Sequence, residues 1–426
     1  MESASSAQPF RWRPALAWAL YDFANTAFAV VVLAFVWPMM FHGFWGKTLE
    51  PQMESVAFKF TQALPCLVIF FLAPFLGQLA EVRRVRARAF KVAVVVGALF
   101  TAGLGWVSEG DWLASAWLYT LGAIAYFCAG TFYDSMIVDA APPARRHQLS
   151  GSAFALGFIA GFLILVALGL GFFDGPAIRW IYPAAGLWWL VFSLPLLWQS
   201  TADAEAVPSV GLREAMRGVL ATGKELWADR RVRWFLVAYI LYIDGVHAVK
   251  TSAAHFGAVL GFGQADLVKA FLVVQVIGVP AALAFGWLGA RVGAVRMIAV
   301  ALVGYIILTL LGSRISPGDV TLLGWSFPSV WLIAFGVGLV QGGVQALSRS
   351  YFAELVPAGR EVAYFGFYSM MGKFAAFLGP LLGAAAGLLF ATKGDPTSAE
   401  RVGFASFALL FLLGLALLFK SRRGNA

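Results

Sequence analysis

Apolar stretches of about 20 residues recur along the whole chain with short polar segments between them, and this pattern constrains the fold most. Each stretch is long enough for a helix to cross the hydrocarbon core of a bilayer. Only 12% of the 426 residues are charged, whereas a soluble domain has about 25%. The sequence predicts an all-α membrane protein with twelve transmembrane helices. The predicted spans are residues 15–40, 56–79, 89–107, 113–138, 150–173, 180–199, 232–260, 267–288, 294–312, 329–353, 361–391 and 402–419.

The basic residues are distributed unevenly among the segments between these spans. Most of the 31 Lys and Arg residues lie at the two termini and in the even-numbered loops, for example Arg83, Arg230 and Arg296. Because basic residues concentrate in cytoplasmic loops, both termini are predicted to be cytoplasmic. The net charge of +9 is interpreted as a sign of orientation, and no nucleic-acid partner is expected. Short loops favour a bacterial inner membrane, with a eukaryotic vacuole as the alternative.

The sequence carries no pattern of an enzyme, a metal site or a cofactor site. It has no glycine-rich nucleotide loop with Lys and Ser or Thr, and no extramembrane segment long enough for a catalytic domain. Cys66 and Cys128 are far apart in apolar spans, which fits neither a metal-ligand spacing nor a disulfide framework. The chain is therefore predicted not to be an enzyme and to need no metal or cofactor.

Two loop motifs recur about 210 residues apart, as in a chain built from two related halves. The segment from Gly77, with Leu79 and basic residues after it, recurs from Gly286. A pattern of acid, Pro and Arg closes predicted spans 4 and 10. Its members are Asp139, Pro142 and Arg145 in the first copy and Glu354, Pro357 and Arg360 in the second. The repeat predicts two pseudo-symmetric six-helix bundles in parallel orientation.

The polar segment between the two halves is predicted to be a linker. The first bundle would comprise residues 1–199, the linker residues 200–231, and the second bundle residues 232–426. The linker contains VGLREAMRGVLATGKELWA, a pattern typical of an amphipathic helix on the cytoplasmic side.

The loop motifs resemble the major facilitator superfamily, whose signature is Gly-x-Leu-x-Asp-Arg-x-Gly-Arg-Arg or similar. Glu81 takes the acidic place and Ala290 replaces the second acid, which implies a weakened charge lock. A closer resemblance, to the vacuole-effluxer branch with its fungal amino-acid exporter, implies the major facilitator fold and transport by alternating access. Many relatives carry Asn and Gln where this chain has Asp134 and His247. The segments that carry this resemblance are LYDFANTAF, TFYDSMIVDAAPP, LYIDGVH, GGVQALSRSYFAELVP and FGFYSMMGKFAAFLGP.

Predicted spans 1 and 4 carry polar residues inside apolar runs. Helix positions three and four apart share a face, which groups Asp22, Asn25 and Thr26. A carboxylate within the bilayer costs roughly 2.5–3.5 kcal/mol on insertion scales. This face is predicted to bind substrate or couple ions, with a structural cap as the alternative for Asp22. Asp134 in span 4 is assigned to binding or to gating.

Predicted span 7 has the densest polar face. A 100° step per residue places His247, Thr251 and His255 with Asp244 inside a sector of about 80°. An acid beside imidazoles suits a proton site, because His titrates near pH 6.5. Asp244, His247 and Thr251 are predicted to bind or couple, while His255 lies closer to the outer loop.

Predicted span 10 presents two glutamines on one face. Gln341 and Gln345 lie beside Gly342 and Gly343, which allow close approach of a neighbouring helix. Because Gln both donates and accepts hydrogen bonds, the pair is predicted to bind a zwitterionic or amide-bearing solute. Packing between helices is the alternative.

Charged residues near the predicted cytoplasmic ends of spans form a second set, assigned to gating. For Arg349 the predicted partner is Glu354 or a carbonyl group, and for Lys373 the alternative is a structural pair with Asp139 or Glu81. The gating set is Glu81, Arg86, Asp139, Arg145, Arg349, Glu354, Arg360 and Lys373.

These features predict a secondary active transporter of a small polar or amphipathic metabolite, with amino acids as the leading class. Without an ATP site the energy would come from protons or sodium, and proton-coupled export by a monomer in the lipid bilayer is the leading hypothesis. One alternative, efflux or uptake of drugs or cell-wall fragments, is favoured by the 15% aromatic content. The other is a transport-dead receptor or scaffold.

Overall fold

The computed structural model describes residues 11–199, 212–322, 324–374, 378–390, 392 and 395–422. Within these residues, twelve helices are long and apolar enough to cross a membrane, which confirms the predicted number. Spans 1 to 12 are Trp12–Thr48, Pro51–Val82, Arg86–Trp106, Trp112–Ser135, Pro143–Gly169, Gly175–Gln199, Arg230–Val259, Ala265–Val292, Ala294–Gly312, Ser329–Leu355, Glu361–Phe390 and Thr397–Ser421.

Span 1 is irregular and longer than the predicted residues 15–40. Its segments are an α-helix Trp12–Phe28, a π-helix Ala29–Phe35, an α-helix Val36–Met40, a π-helix Phe41–Trp45 and a 3-10 helix Gly46–Thr48. Pro38 has no N–H and its ring clashes with the preceding turn, so the regular bonding pattern cannot continue through it. The N–H of Val36 donates to the carbonyl of Val31, five residues back, which widens the helix there.

Several shorter elements complete the described chain. They are the 3-10 helices Leu104–Trp106 and Gly175–Trp180, the short helix Ile137–Ala140, the linker helix Leu212–Ala228, the two helices Glu361–Phe374 and Leu378–Phe390 of span 11, and the strands Asp319–Leu322 and Trp325–Pro328. The helices of spans 8 and 12 are Gln264–Val292 and Pro396–Arg422. The strands pair antiparallel, with Asp319 opposite Pro328. This small hairpin between spans 9 and 10 is absent from the all-helical prediction.

The chain divides into two compact units. The first consists of Met1–Thr222 and Val356–Ser369, and the second of Gly223–Leu355 and Met370–Ala426, as far as the described residues define them. The first unit thus includes most of the linker helix and the beginning of span 11. Residues 200–211 of the predicted linker lie outside the described part of the chain.

The six spans of each half pack in the same order. In the first unit, span 1 packs against spans 5 and 6, span 3 against spans 4 and 6, and span 2 against span 4. In the second unit, span 7 packs against spans 11 and 12, span 9 against spans 10 and 12, and span 8 against span 10. Each contact of the first set recurs six spans later, which confirms the predicted pseudo-symmetry.

Candidate functional site

The first unit brings the predicted acids of spans 1 and 4 into one neighbourhood. Trp18 stacks on Tyr133 with ring centroids 4.6 Å apart, and its Nε1 donates to the Tyr133 carbonyl at 3.0 Å. These contacts fix span 1 against the end of span 4. Asp22 and Asp134 both act electrostatically on the hydroxyl of the buried Tyr126. Both acids therefore lie within electrostatic range of one tyrosine, and sequence periodicity gave no sign of Tyr126.

The other two predicted residues of span 1 differ from Asp22 in their surroundings. The Thr26 hydroxyl donates to the Asp22 carbonyl at 2.6 Å, so its hydrogen is used within the helix. A Cβ added to Gly157 of span 5 would lie 3.2 Å from Thr26 Oγ1. Thr26 thus belongs to the contact between spans 1 and 5, while Asn25 is half-buried.

The second unit buries a carboxylate in span 7. Asp244 is 0% exposed, and neither carboxylate oxygen has a hydrogen-bond partner of normal geometry among the described residues. The backbone of Gly379 in span 11 approaches it: a Cβ there would lie 3.4 Å from Asp244 Oδ2 and 2.5 Å from the Cβ of Ala248. An unpaired buried carboxylate is costly, and such residues in membrane spans mark functional sites.

Three basic side chains gather in the same unit. Lys250 and Lys373 act electrostatically on His247, and Lys373 also acts on Lys250. Lys373 follows Gly372, where a Cβ would lie 3.1 Å from the hydroxyl of Tyr239 in span 7. We call His247, Lys250 and Lys373 the basic cluster. Lys250 was not among the predicted site residues, although a lysine inside an apolar span is itself a signal.

Thr251 does not present a free hydroxyl group at the cluster. Its Oγ1 donates to the carbonyl of His247 at 2.9 Å, one turn earlier in the same helix. Such back-bonding satisfies a threonine within a membrane helix. The hydroxyl oxygen of Thr251 can still accept a hydrogen bond, and its predicted role in binding stays a prediction.

Span 10 is tied to span 7 through a serine. The Tyr242 hydroxyl lies 2.7 Å from Ser348 Oγ, and Ser348 donates to the Val344 carbonyl at 2.6 Å. Tyr242 is therefore the donor of the pair. Gln341 is buried and Gln345 half-buried on the same helix, and their predicted role in binding stays a prediction.

The end of span 2 is joined to the beginning of span 11 by an ion pair and hydrogen bonds. Arg360 Nε lies 3.1 Å from Glu81 Oε1, and the Ala363 N–H donates to Glu81 Oε2 at 3.0 Å. Arg360 Nη2 also donates to Thr222 Oγ1 at 2.6 Å, and Thr222 donates to Gln78 Oε1 at 3.0 Å. We call Gln78, Glu81, Thr222 and Arg360 the clasp. Glu81, which takes the acidic place of the signature, is thus paired with Arg360, and the weakening of the charge lock stays a prediction.

Two glycines allow the backbones of these helices to touch at the clasp. A Cβ on Gly77 would lie 2.5 Å from the carbonyl oxygen of Val362, and a Cβ on Gly366 would lie 2.6 Å from that of Ala73. Both distances are too short for any real side-chain carbon. Glycine at both positions is therefore required for this close approach.

The remaining gating residues occupy several places. Arg86 forms an ion pair with Asp139. Glu81 and Asp139, the alternative partners suggested for Lys373, thus pair with Arg360 and Arg86. Arg145 is exposed in the first turn of span 5, Arg349 is buried in span 10, and Glu354 is exposed at the end of span 10.

A cavity of about 480 Å³ lies beside the clasp in the first unit. Its volume is within the range of sites for small molecules. The lining residues are Pro14, Trp18, Ala80, Glu81, Arg84, Arg86, Ala87, Met136, Asp139, Ala140, Leu196, Gln199, Glu361 and Val362. No group of three His, Cys, Asp or Glu side chains in the described chain is arranged to hold a metal ion.

The sequence profile of the vacuole effluxer Atg22-like family matches residues 43–425. The chain belongs to this family. An uncharacterised MFS-type transporter of Bacillus subtilis, YxiO, is 30% identical to this Atg22-like protein over 414 residues, covering 94% of this chain and 93% of YxiO. Autophagy-related protein 22 of Yarrowia lipolytica is 26% identical over 316 residues, which cover 65% of this chain and 51% of the fungal protein.

Solved structures show the same fold. The human organic anion transporter MFSD10 (TETRAN) is similar with a TM-score of 0.69 and 18% identity, covering 96% of this chain and 98% of that one. A bacterial homologue of the iron transporter ferroportin has a TM-score of 0.65 and 14% identity, covering 97% and 99%. The Atg22-like protein is thus a multi-pass membrane transporter of the major facilitator type, and its relatives are transporters rather than enzymes.

Proposed function

We propose that this Atg22-like protein is a secondary active transporter that exports a small polar or amphipathic metabolite in exchange for protons. The buried Asp244 is the observation that carries the proposal. Binding of a proton removes the charge of a carboxylate and with it most of the cost of burial. A group that changes charge between a buried and a solvated state can couple proton movement to a conformational change.

Amino acids are the leading substrate class of the proposal. The basic cluster of the second unit suits a carboxylate, a group that every amino acid carries. The description of the family as vacuole effluxers supports export as the direction.

The clasp and the neighbouring charges are proposed to gate transport. Alternating access requires one end of the transporter to open while the other closes, with residues 1–199 and 232–426 as the moving bundles. The ion pair of Glu81 with Arg360 and the hydrogen bond from the N–H of Ala363 support a gate at the end of the transporter where the clasp lies. The proposed gating residues are Glu81, Arg86, Asp139, Arg145, Arg349, Glu354, Arg360 and Lys373.

The proposed setting is a bacterial inner membrane, with both termini in the cytoplasm and the monomer as the transporting species. The likeness to a Bacillus protein over nearly the whole chain supports the bacterial setting. The concentration of Lys and Arg in the even-numbered loops supports the orientation.

A second candidate substrate is an organic anion such as an anionic drug. The basic cluster favours it, because three basic side chains interact in one unit. The human protein of the same fold is described as an organic anion transporter. The screen for ligands therefore includes organic anions and cell-wall fragments beside amino acids.

The first experiment identifies a ligand and the second tests coupling. Purified protein is melted with pools of candidate solutes at pH 5.5 and 7.5, because a ligand stabilises the folded state by RT ln(1 + [L]/Kd). The radiolabelled hit is then followed into proteoliposomes under an imposed pH gradient. Asp244→Asn is expected to lose gradient-driven accumulation and to keep exchange of labelled for unlabelled substrate.

Asp319→Asn, in the exposed hairpin, is the matched control and is expected to keep both activities. Gradient-driven accumulation by Asp244→Asn at the rate of the parent protein would remove Asp244 from proton coupling. Accumulation that follows a sodium gradient and ignores pH would assign the coupling to sodium.

A further inference from the structure

The linker helix has one face fixed to the protein. Ala215, Thr222 and Leu226 are buried, and they recur at the spacing of one helical face. The Thr222 hydroxyl bridges Gln78 and Arg360 in the clasp. This face therefore belongs to the protein interior, and it holds the helix in a defined rotation about its own axis.

A second face, centred about 120° around the helix from the first, exposes large apolar side chains. Met216, Leu220 and Trp227 are 50%, 65% and 60% exposed. With 100° per residue, the three lie within a sector of about 40°. Burial against another surface would remove this apolar area from water, which is favourable. The stripe therefore needs an apolar partner.

The charges of the helix are arranged around this stripe. The exposed Arg213, Arg217 and Lys224 lie about 60–100° from Met216 on one side. The exposed Glu214 and Glu225 lie about 160–180° away, on the far side of the helix. An apolar stripe with bases along one side and acids turned away is the pattern of a helix that lies in the interface of an anionic membrane.

Both attachments of the linker helix hold it at the ends of membrane spans. The helix ends at Ala228, and span 7 begins at Arg230. Its hydrogen-bond partner Gln78 lies one turn before the end of span 2 at Val82. The nearest extended apolar surface that also carries negative charge is therefore the bilayer that the spans cross.

We propose that the linker helix lies in the headgroup layer and binds anionic phospholipids. Arg213, Arg217 and Lys224 contact the phosphate groups, and Met216, Leu220 and Trp227 enter the acyl boundary. The bound lipid layer then holds Thr222 in the clasp, so the negative charge of the membrane stabilises the contact between spans 2 and 11. This inference concerns the membrane partner and does not depend on the transported substrate.

The test uses a fluorescent label whose emission is quenched by doxyl groups attached to the lipids. Cys66→Ala and Cys128→Ala remove the native thiols, and the label is attached to Met216→Cys or, as the control, to Ala221→Cys. Ala221 is exposed but lies about 140° from Met216. In nanodiscs of phosphatidylcholine with one quarter phosphatidylglycerol, the label at Met216→Cys should be quenched about threefold more than the control label.

Charge removal tests the anionic part of the proposal. The triple variant Arg213→Gln, Arg217→Gln, Lys224→Gln should lower quenching at Met216→Cys to the level in pure phosphatidylcholine. Arg230→Gln with Arg231→Gln, two exposed residues outside the linker helix, should leave it unchanged.

Three results would overturn the proposal. The first is equal quenching at Met216→Cys and Ala221→Cys. The second is strong quenching that is the same with and without phosphatidylglycerol, since it would show an apolar contact without recognition of the anionic headgroup. The third is protection of the label at Met216→Cys from the lipid quencher together with a dimer cross-linked through this face, which would assign the stripe to a second copy of the chain.

Discussion

Arg360 Nε lies 3.1 Å from Glu81 Oε1, and the pair joins the end of span 2 to the residue just before span 11. Glu81 is only 14% exposed in this pair, and its other oxygen accepts the N–H of Ala363. A carboxylate at a helix N-terminus also interacts favourably with the helix dipole. Glu81 thus has two partners at the beginning of span 11 and is less exposed than the acid of an ordinary surface ion pair.

Glu81→Ala is expected to lower stability by about 1–3 kcal/mol, because it removes the carboxylate beside a half-buried guanidinium and leaves the N–H of Ala363 without its acceptor. Glu81→Gln keeps an acceptor and should cost less. Thermal unfolding in detergent measures both. The control is Glu109→Ala, which breaks the exposed pair with Lys47 and should change stability by less than about 1 kcal/mol. Equal effects of the two alanine variants would contradict the special role of Glu81.

Gly77→Ala should separate spans 2 and 11 at the clasp. The new Cβ would lie 2.5 Å from the Val362 carbonyl oxygen. The helices would have to move apart to avoid this overlap, which should lower the free energy of unfolding by about 1–3 kcal/mol. Gly130→Ala in span 4 is the matched control, because no atom lies within 4 Å of a Cβ there. The control should be neutral or stabilising by roughly 0.5–1 kcal/mol. The melting temperatures of the two variants are compared; a Gly77→Ala protein as stable as the control would refute the close contact.

The ion pair of Arg86 and Asp139 should contribute little to stability, since Asp139 is exposed. A double-mutant cycle with Arg86→Ala and Asp139→Ala is expected to give a coupling free energy below about 1 kcal/mol, decreasing with added salt. A salt-independent coupling of several kcal/mol would show that the pair is buried in the membrane-embedded protein.

Tyr242→Phe removes the hydroxyl that donates to Ser348 and should destabilise the protein by about 0.5–1.5 kcal/mol. Tyr305→Phe is the control: its hydroxyl is buried without a hydrogen-bond partner in the described part of the chain, and its ring stacks on Phe411. Removing that hydroxyl should be neutral or stabilising. Thermal melts of the two variants test the difference, and the reverse order would refute the assigned hydrogen bond.

Most of the fold could be predicted from the sequence, whereas the site could be predicted only in part. The π-helical turns around Pro38 and the hairpin beginning at Asp319 were missed, because both are local departures within or between apolar runs. The polar face of span 7 indicates Asp244. The same face predicts binding by Thr251, but the hydroxyl of Thr251 donates to the backbone of His247, which periodicity cannot reveal.

The sequence by itself determined the twelve spans and the pseudo-symmetry of two six-helix bundles. The hydrocarbon core of a bilayer contains no water, so the backbone N–H and C=O groups of a spanning segment form their hydrogen bonds within the helix. Length and apolarity therefore suffice to define a span. Only the tertiary structure decided which charges meet: Glu81 with Arg360, and Asp139 with Arg86. These partners depend on how distant helices pack and rotate against one another, and that information is absent from the local pattern of any single span.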